Sequence, residues 1–296
     1  MDITPKKLNS SFILLIAGVI IIGASPVMIK SAHAPGIVTS FYRMSIGAIG
    51  LLIPFLYGRY RSEEKLSKIG LLYALLGGLC FGIDMAVWST GIVKSNATIP
   101  TLAANTAPIW AGLGSILIFK DKIEKGFWIG MIVSLSGMVI MLFKEVSQST
   151  GILTGFIHGI TAGIFYGMYY LATQKGRKIL STLDFLFIST TTSSIFLVIV
   201  MGLLGYNFTG YDQTTNIIFI AYGITVQIGG WWLINYTQGH LKAIVVSSTM
   251  LGQPVITALI AFFVLNERHT IYHLIGGVIV ITGIYLVHFT RLKSSN

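Results

Sequence analysis

Apolar runs of about 18 residues or more recur along the whole chain, separated by short segments that hold nearly all of the charge. Each run is long enough to cross a bilayer as a helix, since roughly 20 residues at about 1.5 Å apiece cover the hydrocarbon thickness. Ten spans fit, at 12–30, 36–57, 69–93, 97–119, 127–143, 152–172, 183–204, 217–237, 243–265 and 271–289. The longest gaps, 58–68 and 207–215, are too short for a soluble domain. The alternating strands of a membrane β-barrel are absent. The pattern therefore predicts an all-α polytopic membrane protein with ten transmembrane helices.

The pattern also repeats. Sliding 70–142 by 146 positions lays it on 216–288 without a gap. Gly77 falls on Gly223, Ala97 on Ala243, Pro108 on Pro254, Gly130 on Gly276 and Gly137 on Gly283. The charged joint Lys120-Asp121-Lys122 falls on Asn266-Glu267-Arg268. Glycine and proline occupy backbone positions that other residues fill poorly, so their coincidence outweighs that of matched leucines. Two units follow, 1–146 and 147–296, each with five spans.

Charge sets the orientation. With the N-terminus cytoplasmic, fifteen of the twenty Lys and Arg residues fall in inside segments and four (Lys30, Lys94, Lys144 and Arg268) in outside ones; Arg43 lies within a span. Both termini are thus expected in the cytoplasm, and the retained first helix is read as a span rather than a signal peptide. Five spans per unit, an odd number, turn the second unit upside down relative to the first. Inverted repeats of this kind are a frequent architecture of secondary transporters, with the solute site near the midplane. The net charge of +10 is spread over loops rather than gathered in a patch, which speaks against nucleic acid as a partner.

An ionised group at the bilayer centre costs about 2.5–3.5 kcal/mol on insertion scales, so each needs a reason. Asp84 is the only acid well inside a span, and Arg43 on the second span reaches a similar depth. The two could neutralise each other, either as a fixed pair between helices or as a coupling or gating pair. Trp88 sits one turn beyond Asp84, and Gln227, Trp231 and Asn235 form an i, i+4, i+8 stripe on the eighth span. The sixth span carries Gly155, Gly159, Gly163 and Gly167 at every fourth residue, a row that admits close helix packing. Beside it run His158, Tyr166 and Tyr170; His158 reads as a proton relay or as a satisfied buried histidine. Asn105 and Gln253 precede the matched prolines, where an amide can line a cavity or satisfy a kinked backbone.

Phe81-Gly82-Ile83-Asp84-Met85-Ala86-Val87-Trp88, Ser95-Asn96-Ala97-Thr98 and Ala104-Asn105-Thr106-Ala107-Pro108-Ile109, closing at Asp121, resemble the EamA-type family of the drug/metabolite transporter superfamily. Leu251-Gly252-Gln253-Pro254, Asn266-Glu267-Arg268 and Gly276-Gly277 resemble the same signature, and Arg43 within Phe41-Tyr42-Arg43-Met44 matches the arginine usual on the second helix. The resemblance implies two inverted five-helix repeats. It implies a cavity among helices 1, 3, 4, 6, 8 and 9, with helices 5 and 10 bracing it or meeting a homodimer partner. Asp121 stands where many relatives have glutamate.

These readings converge on a secondary transporter in a bacterial inner membrane that moves an amino acid or related metabolite, by export, with two rocking halves. The expected cavity residues are Asp84, Trp88, Asn105, His158, Tyr166, Gln227, Trp231 and Gln253, with Asp84 and Arg43 as the coupling or gating pair. A facilitated uniporter, an importer and a membrane enzyme acting on lipid are the alternatives. The enzyme reading lacks paired acids, a nucleophile with its base and a His-Glu metal motif. No cofactor and no metal are expected; the expected partners are the bilayer and a small solute.

Overall fold

The computed structural model describes residues 5–62, 65–94, 98–141, 143, 151–265 and 271–294. The repeat positions 95–97 and 266–268, and with them the Asn266-Glu267-Arg268 joint, lie outside the described residues. Within them run α1 (Ser10–Ser31), α2 (Gly36–Arg61), α3 (Lys68–Gly91), α4 (Ile99–Phe119), α5 (Lys125–Met141), α6 (Ile152–Gly176), α7 (Thr182–Leu203), α8 (Gln213–Gln238), α9 (Ala243–Val264) and α10 (Ile271–His288). Nine are long and apolar enough to cross a membrane. The tenth, α5, has 17 residues, at the short end of what spans. The described residues hold no strand.

Ten helices were expected, and the boundaries shift by a few residues. Helix α2 runs on to Arg61, whose guanidinium lies 4.4 Å over the Tyr57 ring, so the amphipathic arginine extends the last turn past the apolar run. The proline pair acts as its position in the repeat suggests. Helix α4 breaks between Ala104 and Ala107, and α9 passes through a 3₁₀ turn at Met250–Gly252, just ahead of Pro108 and Pro254 respectively. Helix α1 breaks at Ala24, beside Pro26.

Glycines decide the closest approaches. A Cβ on Gly159 would sit 2.5 Å from the Pro100 carbonyl, and one on Gly167 2.9 Å from that of Ala107, so α6 lies with its glycine row directly on the backbone of α4. The matched glycines of α5 and α10 face one another crosswise. A Cβ on Gly130 would meet the Gly283 carbonyl at 2.6 Å, and one on Gly137 would meet the Gly276 carbonyl at 2.8 Å. Between them Ser134 Oγ donates to the Val280 carbonyl at 3.3 Å, and 134 and 280 are themselves repeat partners. Helices α5 and α10 thus brace each other through matched positions of the repeat.

Candidate functional site

Among the inner helices lies a cavity of roughly 350 Å³, within the range of small-molecule sites. It is lined by residues of α1, α2, α3, α4, α6, α8 and α9, with Met141 and His273 from the ends of α5 and α10. Exposed Lys30 stands on its rim, so the cavity reaches the surface at the end of the bundle poor in basic residues. Toward the basic end it stops on an aromatic floor. Phe81, Tyr166 and Trp231 lie with ring centroids 4.6–6.1 Å apart. Beneath them Tyr170 donates its hydroxyl to that of Tyr166 at 2.7 Å, and Asn235 Nδ2 donates to Tyr169 Oη at 3.0 Å.

Of the residues singled out in the sequence, Asp84, Trp88, Asn105, Tyr166, Trp231, Gln253 and Arg43 all line this cavity. The one-turn spacing of Asp84 and Trp88 puts both on the cavity face of α3. Trp88 Nε1 donates to Thr101 Oγ1 at 3.0 Å, tying α3 to the first segment of α4. Asn105 Nδ2 donates to the Thr101 carbonyl at 2.8 Å, so this amide serves the broken backbone as well as the cavity wall.

Two residues stand elsewhere. His158 does not line the cavity; its Nδ1 bonds the Thr154 carbonyl at 2.8 Å and its Cβ packs against Gly91, because the glycine row turns the neighbouring stripe outward at that level. Gln227 lies one layer behind the wall, 1% exposed, with Oε1 accepting from Arg43 Nε at 3.0 Å and Nε2 donating to Thr190 Oγ1 at 2.9 Å. The cause is a π-helical stretch, Gly223–Gly230, which adds a residue to the turn and breaks the i, i+4 stripe.

Arg43 and Asp84 share the cavity wall and act on each other electrostatically, yet among the described residues no hydrogen bond or ion pair joins them. Arg43 instead gives Nη1 to Tyr222 Oη at 3.0 Å, and its guanidinium carbon lies over the Phe81 and Tyr222 rings at 5.3 and 5.2 Å. Four buried polar atoms of residues on this wall have no partner among the described residues: Ser25 Oγ, Arg43 Nη2, Asp84 Oδ2 and Trp231 Nε1. Orphaned buried polar groups are uncommon and costly, so four on one cavity mark the places where a solute can bond. Sequence reasoning did not place Tyr222, Lys30 or His273 at the cavity. Tyr222 lies in the turn just before the π-helical stretch, and the other two lie at the ends of their spans. The described residues contain no cluster of acids, histidines and cysteine able to hold a metal.

Apolar helices, several of them broken, that enclose a mid-bundle cavity define a polytopic membrane protein. The EamA-like transporter family model matches residues 9–143 and again 153–289, and the chain belongs to that family. It is similar to an uncharacterized transporter, YdfC, of Bacillus subtilis (strain 168), with 22% identity over 86% of this chain and 81% of that one. It is also similar to an S-adenosylmethionine uptake transporter of Rickettsia prowazekii (strain Madrid E), 23% identical over 86% of this chain and 83% of that protein. A solved crystal structure superposes with a TM-score of 0.79 at 12% identity, over 95% of this chain and 98% of the other, which shows a shared fold.

Proposed function

We propose that this transporter is a secondary carrier that exports an amino acid or related small metabolite across a bacterial inner membrane by alternating access. Its cavity lies between the repeat units 1–146 and 147–296, and both termini are cytoplasmic. With the basic end in the cytoplasm, the cavity opens outward, and the aromatic floor closes it from within. The observation that carries the reading is Asp84, 2% exposed on the cavity wall, with Oδ2 unpartnered among the described residues. A carboxylate so placed binds the cationic group of a solute or exchanges a proton during the cycle. The relative named for uptake favours an importer as the second reading.

The test uses purified protein in liposomes, with flux of amino acids, polyamines and nucleoside-like metabolites measured with and without a pH gradient. Saturable amino-acid flux that rises with the gradient and collapses in Asp84→Asn supports coupled transport through Asp84. Saturable flux indifferent to both makes the protein a facilitator in which Asp84 is structural. Flux of none of these classes overturns the reading.

A further inference from the structure

Arg43 is held in an uneven way. Gln227 takes Nε, Tyr222 takes Nη1, and the Phe81 and Tyr222 rings cover the guanidinium, while Nη2 is left without a partner among the described residues. The residue is only 4% exposed, so the arrangement is a built one rather than a surface arginine between rotamers. Thr190 in turn fixes the Gln227 amide, because Nε2 donates to its hydroxyl and so leaves Oε1 turned toward Arg43. Gly47, one turn along α2, makes room for this: a Cβ there would lie 2.5 Å from Gln227 Cγ. A second unpartnered donor, Trp231 Nε1, lies on the same wall, since both side chains pack on the Phe81 ring. A fixed guanidinium edge and an indole N–H, both screened from water, suit an anion with planar oxygens.

We propose that Arg43 Nη2 and Trp231 Nε1 form the subsite for a carboxylate of the transported solute, with Gln227 and Tyr222 as positioning residues that aim the guanidinium. The assignment deepens the carrier reading above and rests on it. A single negative charge fits one guanidinium beside Asp84; a phosphate dianion would meet the Asp84 carboxylate on the same wall. The ammonium of an amino acid then falls to Asp84 Oδ2. Gln227, expected from the sequence to touch solute, acts through Arg43.

Binding to the purified protein in lipid nanodiscs tests this, read by the fluorescence of cavity tryptophans Trp88 and Trp231. The probes are L-leucine, L-leucinamide, which lacks the carboxylate, and 4-methylpentanoate, which lacks the ammonium. The wild type is expected to hold leucine about tenfold or more tighter than leucinamide, the discrimination of one charge-assisted hydrogen bond. Arg43→Gln and, separately, Gln227→Met bring that ratio close to one while the leucinamide constant stays within about threefold. A merely structural role for Gln227 would weaken all three probes alike. Leucinamide matching leucine in the wild type overturns the subsite, as does an unchanged ratio in Gln227→Met or the failure of both carboxylates to bind. Binding of 4-methylpentanoate without leucine supports the subsite and rejects the amino-acid reading, which separates the two claims.

Discussion

At the basic end, Lys242 Nζ lies 3.2 Å from Asp121 Oδ1, joining the α8–α9 joint of the second repeat to the end of α4 in the first. Ser115 Oγ donates to the other Asp121 oxygen at 2.7 Å, which fixes the carboxylate for its partner. The side chains are 47% and 22% exposed, so the pair belongs with solvent-screened ion pairs, worth about 0.2–1 kcal/mol. Removing it should raise the population open at this end by at most about fivefold, since 1.4 kcal/mol is a factor of ten. Spin labels at Lys122→Cys and His240→Cys, in a Cys80→Ser background, read that population as the long-distance fraction in double electron–electron resonance. Asp121→Asn and Lys242→Met should each raise it, and the double variant should add little, because the two residues share one interaction. Burial alone would raise the Asp121 pKa, but hydrogen bonds from Ser115 and Lys242 and the charges of Lys242 and Lys178 outweigh it and hold the carboxyl below the ordinary range. A depressed pKa contributes closure that is fully present above the ordinary carboxylate value of about 3.9 and is lost as pH falls through the lowered one. The distances should therefore stay flat from about pH 8 to 5 and shift only in stronger acid. Full additivity of the single variants, or no shift in either, would refute the latch.

The neighbouring Arg177 should matter more. Burial draws its pKa down to about 10, still charged at neutral pH, and it donates to the carbonyls of Asn235 and Leu180 and to Thr182 Oγ1. Arg177→Lys cannot reach three acceptors and should cost about 1.5–3 kcal/mol, seen as a larger open fraction with the same labels. Gly137→Ala places a Cβ 2.7 Å from the Val280 backbone nitrogen, which no rotamer relieves; about 1–3 kcal/mol should be lost, visible as a lower thermal midpoint in detergent. Gly202→Ala, with nothing within 4 Å of the added Cβ, should leave the midpoint unchanged or raised.

What the sequence disclosed and what it hid divide on physical lines. Helix number, helix breaks and close packing depend on apolar length, proline and glycine, which act locally. The ten helices, the breaks ahead of Pro108 and Pro254, and a close-packing glycine face on α6 were therefore legible, whereas the helix that meets that face, α4, and the mutual contact of α5 and α10 were not. Side-chain direction over a long helix assumes 3.6 residues per turn, and the π-helical stretch at Gly223–Gly230 violates that assumption, so Gln227 was assigned a turn too directly to the cavity. Partner choice was hidden too. Two opposite charges at equal depth suggest a pair, whereas Arg43 bonds Gln227 and Tyr222, 184 and 179 positions away.

The contacts also group the helices differently from the sequence repeats. Helix α1 packs on α8 and α9, while α3 and α4 pack on α6, so each bundle draws helices from both repeats. Four bonds among the described residues at the basic end run between these bundles: Asp121 to Lys242, Arg177 to the Asn235 carbonyl, Gln238 to the Tyr170 carbonyl and Gln174 to the Ala243 amide. Arg43 touches both bundles at repeat-equivalent positions, Phe81 on α3 and Gln227 on α8. The contact with Phe81 is a cation over a ring face and tolerates sliding, whereas the bond to Gln227 weakens steeply off its axis. Arg43 should therefore travel with α8, and Asp84 with α3. A zwitterion held by both would draw the bundles together at the mouth, whereas its amide would hold only one of them. Labels at Lys94→Cys, just past the end of α3, and Gln213→Cys on α8 should come closer with L-leucine and not with L-leucinamide. Labels at Lys122→Cys and Ile179→Cys, within the α3–α4–α6 bundle, should keep their distance with either. Equal closure by both ligands would mean that Arg43 takes no part in joining the bundles, whatever it binds.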